Sequence, residues 1–261
     1  MSGLEELRDK ARRALAEIST VKLVGLGGVG GIVTRHVVPL LVGLEVPLDV
    51  VLVDGDDFEP HNAERAIFSR VGNKAEVLRE DLLEIVTRSD VSLTARPDFV
   101  APENVDQLLP ERVLVLLMVD NHATRKLVAD RFARLKNGCL VSGGNDGVGE
   151  DSSGYLLHGT CGNVQIHLRR GGADASPPLT AFHPEIAEPA DHRPDEAGCD
   201  QLRESIPQLL VTNLMAASAM MSALWLHLTD QLPYSELVFD VARGRMQPEA
   251  VVPVPEPVKQ P

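Results

Sequence analysis

The sequence predicts a doubly wound α/β fold: a mainly parallel sheet, extended toward the C-terminus by antiparallel strands. Three observations carry that expectation. A short apolar strand at Val21–Val24 runs directly into a glycine-rich loop and then a helix. Strand-like and helix-like patterns alternate from there to Ser142, as in chains whose helices cross between parallel strands. Two of the strand-like runs, Val50–Val53 and Val113–Met118, are apolar at nearly every position, which is what burial on both faces requires.

Before the first strand, Leu4, Leu7, Ala11, Leu15 and Ile18 recur at spacings of three and four. That period predicts an amphipathic helix over 3–18, with Arg8, Arg12 and Arg13 on its other faces. The loop Gly25-Leu-Gly27-Gly28-Val-Gly30 leads into a helix expected over Ile32–Leu41. The second strand, Val50–Val53, ends in Asp54-Gly-Asp56-Asp57. Lys74–Arg88 reads as a helix, Val91–Ala95 as a strand, and Val113–Met118 as a strand ending at Asp120-Asn121. A helix over Thr124–Lys136 and a buried strand over Cys139–Ser142 complete a nucleotide-binding core spanning 21–145. Beyond it, Tyr155–His158 and Asn163–Leu168 are expected to pair with each other as antiparallel strands.

The segment 171–207 is rich in Pro, Asp, Glu and His and lacks periodicity. It reads as a long crossover loop, and such loops in compact domains tend to be functional. An apolar helix over 207–229 follows, then a strand at Leu237–Val241. The expectation is a single domain over 1–246, ending in a flexible Pro/Val-rich tail over 247–261 that is a candidate docking peptide. Leu209–Leu228 carries no formal charge and is long enough to span a bilayer. Thr212, Asn213, Ser218, Ser222 and His227 interrupt it, so a core or interface helix is the reading taken here and no membrane partner is expected.

The chain has 261 residues, 44% hydrophobic and 24% charged, with a net charge of −13. That acidity argues against a nucleic-acid partner held through phosphates. Three cysteines, Cys139, Cys161 and Cys199, are too few and too scattered for a disulfide framework. The N-terminal segment is charged and amphipathic rather than a leader, which points to a reduced, cytoplasmic setting.

Gly25-x-Gly27-x-x-Gly30 between strand and helix lets backbone N–H groups approach a phosphate at the helix N-terminus. Asp54, at the end of the next strand, is placed to accept from ribose hydroxyls. Those features alone fit an NAD-dependent oxidoreductase equally well. The segment Asp54-Gly-Asp56-Asp57-Phe-Glu-Pro-His-Asn62-Ala-Glu-Arg65, followed by Gly72-Asn73-Lys74 and by Asp120-Asn121 with Arg125, separates the two. In that order these elements resemble the signature of the ThiF/MoeB/ubiquitin-activating family.

The resemblance implies a Rossmann-like, ThiF-type fold and an ATP- and Mg²⁺-dependent adenylyltransferase. Such an enzyme activates the C-terminal glycine carboxylate of a ubiquitin-like or sulfur-carrier β-grasp protein. It places Arg65 and Lys74 on the phosphates, Asp120 on the metal, and Asn62, with Asp56 and Asn121 nearby, beside the nucleotide. Gly27 and Gly28 would make room for the phosphates. It also implies a homodimer, with an N-terminal arginine reaching across, and a conjugating enzyme or sulfurtransferase downstream. Some relatives pass the acyl group to a cysteine before the apolar helix, where Cys199 lies, although Asp195, Glu196 and Asp200 oppose a low thiol pKa there. The Cys-x-x-Cys pairs of zinc-bearing relatives do not occur, so no structural zinc is expected.

Each residue taken alone also has a structural reading. Asp54 and Asp56 can end a strand, Lys74 can be solvated, Arg65 can pair at the surface, Asp120 can cap a helix. Cys139 reads as core and Cys161 has no evident partner. His158, His167, His183 and His192 form no ligand set and read as surface residues. A catalytically silent activating-enzyme subunit is the remaining alternative.

Overall fold

The structure, a computed structural model, describes residues 3–60, 63–64, 66–150, 156–196 and 208–249. In chain order it runs α1 (Gly3–Ala16), β1 (Thr20–Val24), α2 (Gly28–Gly43), β2 (Leu48–Val53), β3 (Asp57–Phe58), β4 (Gly72–Asn73), α3 (Lys74–Val86) and β5 (Val91–Arg96). It continues with α4 (Val105–Leu108), β6 (Val113–Leu117), α5 (His122–Phe132), β7 (Gly138–Asn145), β8 (Val148–Glu150), β9 (Leu156–His158), β10 (Cys161–Arg170) and β11 (Ala173–Asp174). Two 3₁₀ turns, Leu179–Ala181 and Pro184–Ile186, precede α6 (Leu210–Leu228), β12 (Glu236–Asp240) and β13 (Arg245–Glu249).

The main sheet has the order β13-β12-β10-β7-β6-β1-β2-β5, with β11 attached to β10. From β5 to β7 every pairing is parallel. Then β10, β12 and β13 add antiparallel strands at one side. The chain winds outward from β1 to β2 and β5, then returns to place β6 on the other side of β1. That reversal opens a crevice at the carboxyl ends of β1 and β6, where doubly wound folds bind ligands.

Alternate side chains of the parallel strands feed two cores. Val21, Leu23, Val50, Leu52, Leu114 and Leu116 pack with residues of α1, α2, α3 and α6. Val51, Val53, Val113, Val115 and Leu117 pack with Val128 and Phe132 of α5 and with Leu179 and Ile186 of the turns. Helices on both faces explain why these strands read as continuous apolar runs rather than as an alternation.

α6 is the one helix among the described residues long and apolar enough to cross a membrane. It lays Thr212, Asn213, Ala216, Ala217, Ala219, Met220, Ala223, Leu224 and Leu228 inward. Gly143 of β7 has no side chain because Met220 occupies that space. Small residues on this helix therefore allow close packing on the sheet, as expected of a core helix.

Several expectations need correction. The N-terminal helix stops at Ala16 rather than Ile18. Among the described residues, Leu156–His158 and Asn163–Leu168 do not pair with each other, and Tyr155 lies outside them. β9 pairs with β8, whereas β10 lies in the main sheet between β7 and β12. The crossover segment is not wholly irregular, since it carries β11 and both 3₁₀ turns. Gln247–Glu249, assigned to the tail, belong to β13 paired with β12, and 250–261 lie outside the described residues. The β10–β12 pairing joins positions such as Cys161 and Asp240 that lie far apart in sequence, so local patterning could not reveal it, whereas β8–β9 and β12–β13 are local hairpins.

Candidate active site

The glycine loop is fixed by backbone contacts. Gly25 has φ +81° and its N–H donates to the Val53 carbonyl at 3.0 Å. A Cβ on Gly25 would meet the Met118 carbonyl carbon and the Val119 nitrogen at 2.8 Å. The loop therefore threads between the ends of β1, β2 and β6. Gly30 is buried, and a Cβ there would fall on the Gly25 carbonyl oxygen. It holds α2 against the loop and does not itself face the cleft. Gly27 is the N-cap of α2 and offers no side-chain acceptor, and the first turn contains no acidic residue. The leading N–H groups of a long helix thus remain open to an anion.

Asp54 follows β2 and is only 8% exposed. Its carboxylate accepts from Leu26 N at 2.5 Å and from Asp56 N at 2.8 Å. Burial pushes this carboxyl up to about 6, against the opposing pull of the Lys74 ammonium. The predicted ribose acceptor is thus also the peg that holds the glycine loop to β2. Asn73 caps α3 by accepting from Ala75 N and Glu76 N, and its amide donates to the Asp54 and Asp56 carbonyls. This cap directs Lys74, the first residue of α3, into the cleft, where its Nζ lies 3.0 Å from Asp56 Oδ2.

On the other side of β1, Asp120 is exposed, its only hydrogen bond among the described residues a long 3.5 Å one from the Asn121 amide. The helix cap, the structural alternative for Asp120, is supplied by Asn121, which accepts from Thr124 N at 2.8 Å. Arg125 points inward, donating to Ser142 Oγ, to the Val119 carbonyl at 2.7 Å and to the Gly143 carbonyl at 3.0 Å. Burial lowers its pKa to about 10. This arginine therefore clamps the β6–α5 turn to β7 beneath the site.

Gly25, Gly27, Gly28, Asp54, Asp56, Lys74, Asp120 and Asn121 all border one open cleft of about 1520 Å³. Asn62, Arg65 and Cys199 lie outside the described residues. Arg8 and Arg12 bind the carbonyls of Gly43 and Leu44 at the end of α2, while Arg13 is exposed. Cys139 is buried in β7, which pushes its thiol up to about 12, whereas Cys161 is exposed.

The part of the crossover segment over 183–196 borders the same cleft, and two clamps that the sequence did not reveal hold it there. Asp191 accepts from His122 N at 2.7 Å and Ala123 N at 2.8 Å, so with Asn121 it closes the N-terminus of α5. His183, expected at the surface, bridges Glu236 Oε1 at 2.8 Å and Glu185 Oε1 at 2.7 Å. Asn163 of β10 also donates to Glu236. His167, likewise expected at the surface, is buried against Asp174. No periodicity marks an isolated His or Asp in irregular chain, and only folding supplies its partners.

The Glu236 and Glu185 carboxylates raise the His183 pKa against the opposing effect of burial, with His122 of α5 also facing this corner. A histidine raised above its free value of about 6.5 contributes stability below that pH and loses it as pH climbs through the folded value. Amide-exchange protection of 179–186, corrected for intrinsic rates, is therefore expected to fall on the alkaline side. His183→Gln should remove that pH-dependent part. An identical pH profile in the variant would show that the clamp does not hold this segment.

A doubly wound fold with an open helix N-terminus at its switch point, flanked by a lysine and carboxylates, defines a class of nucleotide-binding α/β proteins. Within it, this chain belongs to the ThiF family, whose pattern matches residues 2–175. Comparison with curated proteins gives no match. Solved structures share the fold at low identity. E. coli MccB with selenomethionine MccA is 14% identical with a TM-score of 0.65, covering 95% of this chain and 68% of its own. E. coli MccB with ATP is 13% identical at 0.64, covering 97% and 68%. PaaA is 16% identical at 0.61, covering 96% and 75%.

Proposed function

We propose that this chain adenylates the C-terminal carboxylate of a peptide or small carrier protein, using ATP and Mg²⁺. The observation that carries the reading is the open N-terminus of α2 in a cleft where the starts of α3 and α5 are closed. Asn73 caps α3, and Asn121 with Asp191 caps α5, whereas α2 has no side-chain cap. A polyphosphate seated on α2 meets Lys74 on one side and Asp120 on the other. Family membership supports this use of the site. MccB, solved with ATP and with MccA, supports a nucleotide and a peptide-like acyl partner for a fold of this kind.

Asp120 fits a magnesium site: its carboxylate is exposed and weakly engaged. Mg²⁺ is commonly held by one or two carboxylates together with substrate phosphates. When bound, the ion neutralises charge on the phosphates. The substrate carboxylate attacks the α-phosphorus, a new C(O)O–P bond forms, and the bond to the β-phosphate oxygen breaks to release pyrophosphate. Lys74 serves as a point charge on the transferring phosphates, exchanging its pairing with Asp56 for the more highly charged ligand. Arg65 supplies a planar donor there, and Asn62 a hydrogen bond to the nucleotide, both on the family signature. Asp54 holds the loop and offers remaining lone pairs to the ribose.

The finer reading is a β-grasp ubiquitin-like or sulfur-carrier protein ending in Gly, activated by a cytoplasmic homodimer. Leu210, Val211 and Leu214, exposed on α6, offer an apolar face for the second copy. Transfer to Cys199 as a thioester, then to a conjugating enzyme or sulfurtransferase, completes it. ATP–pyrophosphate exchange with candidate carriers tests the whole scheme. Exchange that needs both carrier and Mg²⁺ supports the reaction and names the partner. Tight ATP binding without exchange, for any carrier or peptide, would leave a silent subunit instead. Cys199→Ala should keep exchange intact and remove a reducible carrier adduct; persistence of that adduct rules out Cys199.

A further inference from the structure

α6 begins at Leu210, and its residue Asn213 is completely buried. Neither the Oδ1 nor the Nδ2 of its carboxamide has a hydrogen-bond partner among the described residues. A buried amide without partners is costly, and such groups in folded proteins call for a reason. Its neighbour on the helix is satisfied, since the Thr212 hydroxyl donates to the Gly159 carbonyl at 2.6 Å. The unpaired state is therefore particular to Asn213 and not general to this end of α6.

The amide lies against Gly28, the first residue of α2. A Cβ at 28 would overlap Asn213 Nδ2, and would sit 3.0 Å from the amide carbon and 3.1 Å from Gln208 Oε1. Gly28 and Gln208 both border the cleft. The bare Cα of Gly28 and the half-buried Gln208 side chain lie beside the amide at the open N-terminus of α2. Rotation of Gln208 would expose the donor beside the N–H groups where an anion seats.

We propose that Asn213 is a phosphate-contacting residue of the nucleotide site, its Nδ2–H donating past Gly28 to a phosphate oxygen held at the N-terminus of α2. This rests on the reading of the cleft as an ATP site. It assigns α6, which follows the crossover segment in the chain, a direct part in holding the nucleotide. It also gives Gly28 a second reason to lack a side chain: any Cβ would displace the donor.

Asn213→Leu tests the proposal, because leucine has a similar shape and no polar atoms. Melting of the nucleotide-free chain should be unchanged or higher, since replacing an unpaired buried amide by an apolar group of like shape is neutral or stabilising. Affinity for ATP should fall about tenfold, the scale of one hydrogen bond to a charged acceptor, while affinity for adenosine stays the same. Asn213→Ser, smaller and still polar, should show the same phosphate-selective loss and covers the case in which leucine disturbs folding. A folded variant with an unchanged ratio of ATP to adenosine affinity overturns the role of Asn213 and leaves the ATP site standing. A wild-type chain that binds neither ATP nor adenosine overturns both.

Discussion

Asp120→Ala should lower Mg²⁺-dependent ATP–pyrophosphate exchange by at least about a hundredfold, the effect of removing one group that stabilises transition-state charge. The fold should be almost indifferent to the change. Asp120 is exposed, its sole described hydrogen bond is a 3.5 Å contact, and Asn121 rather than Asp120 caps α5. Exposed substitutions of this kind stay within about 0.5 kcal/mol, a shift of roughly 1–2 °C in a chain of this size. Activity should therefore collapse while the melting temperature holds. Full exchange by a folded Asp120→Ala protein would remove Asp120 from the metal site. A large drop in melting temperature would mean that the residue serves the structure instead.

Gly30→Ala should have the opposite signature, a loss of stability first. The added methyl would fall on the Gly25 carbonyl oxygen, and both groups belong to backbone, so no rotamer change relieves the overlap. The loop or the first turn of α2 must move apart, at a cost of about 3 kcal/mol or more, near the upper end for overpacked sites. A fall of roughly 10 °C in melting temperature corresponds to that cost. Gly27→Ala is the matched control. A Cβ there meets nothing within 4 Å, so an added methyl costs only the backbone strain of holding an L-residue at φ −70°, ψ −140°. That variant should melt closer to the wild type than Gly30→Ala does, and should lose nucleotide affinity. If both variants melt alike, the close approach of Gly30 to Gly25 does not govern this loop.

Much of this architecture was legible in the sequence because it depends on local order. Glycines between an apolar strand and a helix, carboxylates at strand ends, and an asparagine before Lys74 act over a few residues. Their spacing survives in the linear text. Asp54, Lys74 and Asp120 lie 20 and more residues apart, yet each is placed at the carboxyl end of a strand or the start of a helix. Once the parallel order β5-β2-β1-β6-β7 forms, those ends converge. Their shared cleft follows from winding, and the family signature encodes the winding.

What the sequence determined by itself is the doubly wound core, the glycine loop and the identity of the polar groups at the strand ends. These follow from hydrophobic period and from the conformations that glycine, asparagine and aspartate permit. Only the tertiary structure decided which helix start stays open. The cap that Asp191 places on α5 reaches across 69 positions from His122. The His183–Glu236 bridge spans 53 and brings the crossover segment down on the antiparallel strands. The unpaired amide of Asn213 against Gly28 depends on α6 packing on α2. Such contacts form between segments with no local pattern to announce them, because a hydrogen bond requires proximity in space and the chain sets that proximity only when its cores close.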